Sequence, residues 1–212
     1  MDSTTLKKDE NVIELPVADR RATVDLVKQL KAVVDNKMFY LFDGLTVDTA
    51  DALFEEMRSM EEQESLTRHF NIMRVLKIEA GTYRQEFGNL MNYSWMNIVN
   101  GKDQRAVGDA VGPVERDLAL YSRKHRNHYK ILLEEVRQRF CGITLQDLSF
   151  HPMLPANFYL CFWYAIEPLG LKYEERRLIM TLFHRFVMDR YGQILAAVND
   201  RMKTLDVMAI KF

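Results

Sequence analysis

With 212 residues, 48% of them hydrophobic and 28% charged, the chain has a globular balance that excludes intrinsic disorder. Lys and Arg number 29 against 30 Asp and Glu, a formal net charge of −1, which argues against a general nucleic-acid coat or a membrane-surface binder. The charge is uneven: residues 1–106 hold 18 acids and 14 bases, and residues 107–212 hold 12 acids and 15 bases. An asymmetry of that size orients a partner without defining one.

Residues 1–17 are polar and contain Pro16, which predicts a mobile N-terminal tail ahead of a single helical domain over 18–212. Asp19 is a plausible N-cap, and Val24, Val27, Leu30, Val34 and Met38 then recur at helical spacing toward a stop at Gly44. Thr46 or Asp48 is expected to cap a second helix striped by Ala50, Leu53, Phe54 and Met57. The Glu-rich stretch 58–65 reads as a short connection or a solvated helical turn. Leu66, Phe70, Met73, Leu76 and Ala80 make the next stripe, and Tyr83, Phe87, Leu90, Met91 and Trp95 extend it past a break or bend at Gly81.

The glycines of 100–113 mark a loop and the natural place for a subdomain break. A long helix over 114–140 follows, its apolar face formed by Leu118, Tyr121, His125, Tyr129, Leu132, Val136 and Phe140, with Gly142 as its stop. His151, Pro152 and Pro155 form a rigid corner, after which 157–166 is apolar on nearly all sides and so predicts the central buried helix. A last helix is expected from Tyr173 to about Leu205, kinked at Gly192. No segment alternates with period two, so the prediction is an all-α, irregular bundle of six to eight helices with no β-sheet.

Cys141 and Cys161 form no C-x-x-C pair and read as reduced, buried residues suited to the cytoplasm. The start of the chain shows no apolar signal core, and the longest strongly apolar run, Phe158 to Ile166, is far short of the ~20 residues that cross a bilayer. No membrane association is expected. The twelve methionines suit irregular helix packing first and adaptable binding surfaces second.

Three stretches resemble a bacterial family. They are Asp51-Ala52-Leu53-Phe54 with Phe70, Met73-Arg74 and Phe87; His151-Pro152-Met153-Leu154-Pro155 with Phe158 to Ile166; and Leu182-Phe183-His184-Arg185 through Val198-Asn199. Together they resemble the N-terminal helical region of domain-of-unknown-function family sixteen-thirty-one over about residues 45–205. His151 stands where that family's corner has Asn, and Asp206 to Ile210 replace its usual Gly-Val-Leu-Pro ending. The resemblance implies a helical fold and a bacterial source, and no activity. Some members carry the label thymidine phosphorylase, which nothing in these residues supports. Larger members add a PilZ-like cyclic di-GMP module. Its Arg-x-x-x-Arg motif does not occur here, so such a module is expected to act from another chain.

The clearest candidate site is basic. Arg116, Arg123, Lys130 and Arg137 are seven apart, with Lys124 and Arg126 beside them, which predicts a cationic stripe along one helix. Arginine forks suit carboxylates and phosphates. The bland alternative is a solvated face paired with the acidic Glu55 to Glu64 region of the same chain. His125 and His128 lie on a basic helix and no H-E-x-x-H occurs, so no metal and no cofactor are expected. Nucleophile elbows, P-loops and Rossmann glycines are absent, which points away from an enzyme. A Cys141–His151 dyad stays open, since such partners meet in space.

The expectation is therefore a non-enzymatic regulatory or adaptor protein. It would dock a protein partner in a helical groove edged by the basic stripe, with a tie to cyclic di-GMP signalling as one route. The alternatives are a receptor for an anionic nucleotide and, less favoured, a nucleic-acid-binding regulator. Methionine and aromatic surface leave a homodimer open.

Overall fold

The computed structural model describes residues 17–100 and 113–212, so the expected tail and most of the glycine-rich loop lie outside the described residues. Helices α1 (Val17–Met57), α2 (Gln63–Ile78), α3 (Ala80–Val99), α4 (Pro113–His128), α5 (Lys130–Thr144), α6 (Pro155–Ala165), α7 (Tyr173–Phe186) and α8 (Tyr191–Thr204) account for nearly all of them. Single 3-10 turns, Glu167–Leu169 and Met188–Arg190, follow α6 and α7. No strand occurs among the described residues, as the absence of period-two alternation predicts.

Helix α1 is one rod of 41 residues, not two helices divided at Gly44. Its buried stripe stays in phase across the glycine, through Met38, Phe42, Leu45, Thr49 and Leu53. A mid-helix glycine costs about 1 kcal/mol against alanine, which burying that stripe outweighs. Thr46 is not a cap: its hydroxyl donates back to the Phe42 carbonyl one turn earlier. Arg84 of α3 grips the same turn through Asp43, the Phe42 carbonyl and Thr46. The rod packs against α2, α3, α7 and α8 and is the spine of the bundle.

Three interruptions fall at residues other than glycine, while Gly170 ends the 3-10 turn after α6 at φ 66°. Helices α2 and α3 are separated by Glu79 alone, at φ −94° and ψ 16°, with Gly81 already inside α3. The long basic helix bends at Tyr129, at φ −102° and ψ 22°, while hydrogen bonds from Tyr129 N to His125 O and from Leu133 N to Tyr129 O carry the ladder through. The last segment breaks over Val187 to Arg190, which turns both Val187 and Met188 fully into the core.

Gly142 and Gly192 are close-approach sites. A Cβ on Gly142 would overlap the Met208 carbonyl oxygen, because the chain after α8 runs back across α5 and bonds Ile210 N to Gln138 O. A Cβ on Gly192 would sit 2.6 Å from the Tyr129 ring, so glycine there lets the bend between α4 and α5 nest against α8.

The core is a single apolar cluster that spans residues on both sides of 101–112. At its centre is α6, opened by Pro155 at a first-turn position, with Phe158, Tyr159, Phe162 and Ala165 fully buried. Phe162 stacks on Phe183 at 4.0 Å, and Phe42, Tyr83 and Phe87 close round this pair edge-on or tilted. This packing fixes α4, which lies on α6, with its inner face set and its outer face free.

Candidate functional site

Helix α4 presents two chemically different faces. Leu118, Ser122 and His125 point inward and are buried. Arg116, Arg123, Lys124 and Arg126 are exposed, and so is Lys130 just past the bend. Leu120 and Ile131 stand among these cations at 67% and 80% exposure. Leu120 is one helical turn from Arg116, Arg123 and Lys124, so charge and apolar surface share a face. Among the described residues none of the five cations forms an ion pair.

Arg137 leaves the stripe. Its guanidinium binds Glu134 at 2.8 Å and Asp147 at 2.7 Å, and Glu134 is driven down to about 2 by hydrogen bonds from Arg137 and Gln138. Arg139 is tied to the Asn199 side chain and the Val207 carbonyl. Five of the six expected cations therefore gather on one surface, and the sixth is a structural ion pair. The acidic region is occupied elsewhere: Glu55 pairs with Arg58, Glu64 with Arg68 and Glu56 with His69. No ion pair among the described residues joins it to the basic face.

Beneath α4 lies a polar cluster inside apolar packing. The Tyr159 hydroxyl of α6 is 2.6 Å from His184 Nδ1 of α7 and 3.3 Å from His125 Nδ1 of α4. His125 Nδ1 also lies 3.1 Å from the Tyr121 carbonyl, to which an N–H there donates. The rings of His125 and His184 meet edge to face at 5.1 Å, and Tyr121 covers His184 at 4.8 Å. Burial holds His184 below the ordinary imidazole range, and repulsion from His125 and Lys124 adds to this while Asp189 opposes it. Burial pushes the Tyr159 phenol up, so it stays protonated. One hint of this cluster is legible in the sequence. His125 interrupts an otherwise apolar stripe, and a polar group so placed must find partners.

Next to it, Asp117, Tyr121, Trp163, Tyr173, Arg68 and Arg177 line a cleft of about 290 Å³. Both arginines are already paired, Arg177 with Asp117 at 3.1 Å and Glu174 at 3.6 Å, and Arg68 with Glu64 at 3.4 Å. An anionic ligand entering there would have to displace these carboxylates. The cysteines are free and buried, and burial lifts the Cys161 thiol to about 12. Cys141 accepts from Arg137 and from Leu148 N and forms no hydrogen bond with His151, so these two residues make no dyad. No helix among the described residues is long and apolar enough to cross a membrane.

No curated protein and no solved structure matches this chain. A family described as "Protein of unknown function (DUF1631) N-terminal domain" matches residues 22–204, from the first turns of α1 to the end of α8, which bears out the resemblance carried by the Asp51, His151 and Leu182 stretches. With that span covering most of its length, the chain belongs to the DUF1631 family.

Proposed function

We propose that this domain is a non-enzymatic regulatory adaptor that works in the cytoplasm and docks an acidic, amphipathic segment of a protein partner on the outer face of α4. One observation carries the reading. Arg116, Arg123, Lys124, Arg126 and Lys130 are exposed and form no ion pair among the described residues, and Leu120 and Ile131 lie among them. Unpaired cations give complementarity and on-rate toward a negative partner, and the exposed Leu and Ile supply the apolar contact that holds it. A helix with carboxylates on one edge and apolar residues at i, i+3 and i+4 fits both.

The test is recovery of partners from the source cells with the full chain and with the Arg123→Glu, Arg126→Glu double variant. The partners captured by the natural chain are expected to be lost from the variant. If every one of them stays bound, the face is only solvated surface and the reading fails.

The rival reading is an anionic-nucleotide receptor, with cyclic di-GMP as one candidate ligand, and the cleft beside Tyr121 is where it would sit. Its arginines are satisfied within the chain, so the docking reading expects no thermal shift in a nucleotide screen. A ligand at 100 times its dissociation constant would stabilise the fold by about 2.7 kcal/mol.

A further inference from the structure

We propose that His125, His184 and Asp189 form a binding site for a divalent transition-metal ion of the zinc class. The residues come from three elements: the inner face of α4, the last turn of α7, and the 3-10 turn between α7 and α8. A nitrogen of each imidazole and a carboxylate oxygen of Asp189 lie within 4.8 Å of one another. Metal-to-ligand bonds of about 2.1 Å draw such atoms to roughly 3–4 Å apart, so the site closes with small side-chain movements.

Two features set this cluster apart from a chance meeting of polar groups. First, the ring orientations are fixed from behind. His125 Nδ1 faces the Tyr121 carbonyl at 3.1 Å and the Tyr159 hydroxyl at 3.3 Å, and His184 Nδ1 faces the same hydroxyl at 2.6 Å. Metal-binding histidines are held this way, one nitrogen anchored to a carbonyl or hydroxyl and the other offered to the ion. Here neither Nε2 has a hydrogen bond among the described residues. Second, the three groups converge without bonding one another: no hydrogen bond or ion pair links Asp189 to either histidine.

Two imidazoles and one carboxylate are borderline donors that suit zinc, iron(II) or cobalt(II) better than calcium or magnesium. Three protein ligands leave a coordination position for water. Asp189 is exposed and His184 half-buried, so the ion has a path from solvent. Lys124 lies near the cluster and tempers its affinity for a cation. A bound ion would pin α4 to the turn between α7 and α8. This inference stands apart from the docking reading, since it uses the inner face of α4 and that reading uses the outer one.

The test is titration of the chelator-treated full chain with Co²⁺, followed by visible absorption, and with Zn²⁺ by calorimetry. One equivalent per chain is expected, with a cobalt ligand-field spectrum that Zn²⁺ abolishes. Asp189→Asn, a near-isosteric change at an exposed position, and His184→Ala are each expected to weaken binding at least tenfold. His128→Ala, exposed on α4 outside the cluster, is expected to bind as the natural chain does. Helical circular dichroism checks folding, and Asp189→Asn keeps the test decisive should His184→Ala unfold. Absence of binding by the natural chain, or unchanged binding by folded Asp189→Asn, overturns the proposal.

Discussion

Replacing His151 with Asn should flatten the acid response of this protein. His151 is almost fully buried at the corner before α6 and stacks on Phe140 at 5.4 Å, and its Nδ1 has no hydrogen-bond partner among the described residues. Burial, with Arg137 next and Arg126 after it, pushes the imidazole down to about 3 from an ordinary 6.5, while Glu134 acts the other way. Between those values the unfolded chain holds a proton that the folded chain refuses. The folded pKa is the depressed one, so this stability is present above pH 6.5 and is lost as the pH falls toward 3. At about 1.4 kcal/mol per pH unit, the step from pH 7 to pH 5 costs about 2 kcal/mol. Ordinary carboxylates titrate mostly below this window. Urea denaturation of the natural chain and His151→Asn at pH 7, 6 and 5 measures the effect. The natural chain is expected to lose about 2 kcal/mol more than the variant over that range. Equal pH slopes for the two would refute the reasoning, because every other histidine contributes alike to both.

Other perturbations separate packing from surface. Gly142→Ala forces a methyl group onto the Met208 carbonyl, so it should lift the segment over α5, speed proteolysis after residue 205 and cost about 1–3 kcal/mol in denaturant melts. Phe162→Ala empties the centre of the aromatic core and should cost about 3–5 kcal/mol by the same assay. Arg123→Glu with Arg126→Glu changes only exposed cations that form no ion pair among the described residues, and should shift stability by less than about 0.5 kcal/mol while abolishing partner capture. Arg137→Ala should do the reverse, since it breaks the Glu134 and Asp147 pairs and removes no free surface charge; melts and capture assays run side by side distinguish the two variants.

Much of the architecture was legible because helical stripes are a local signal. The 157–166 run gave the central helix, and the face from Leu118 to Phe140 pointed inward as its spacing required. What could not be read locally was where several of the other helices end. Gly44, Gly142 and Gly192 looked like stops or kinks. One sits inside an unbroken rod, and the other two admit a carbonyl and an aromatic ring from segments remote in sequence. The actual bends, at Glu79, Tyr129 and Val187 to Arg190, fall at residues without breaker chemistry, and tertiary packing sets them.

The basic face was visible as spacing, but its limit was not. Arg137 has the right period, and it is Glu134 and Asp147 that neutralise its charge. The histidine cluster was hidden for a different reason. His125 and His184 are far apart in the chain, and only the docking of α4 and α7 on α6 brings their rings to 5.1 Å.

Hydrogen exchange on the captured complex puts the docking claim to its most direct trial. Slowed exchange is expected only across residues 116–131, on the turns that carry Arg116, Leu120, Arg123, Lys124, Arg126, Lys130 and Ile131. Protection that instead falls on the cleft lined by Trp163 and Tyr173, or on the acidic end of α1, with 116–131 unchanged, would contradict it.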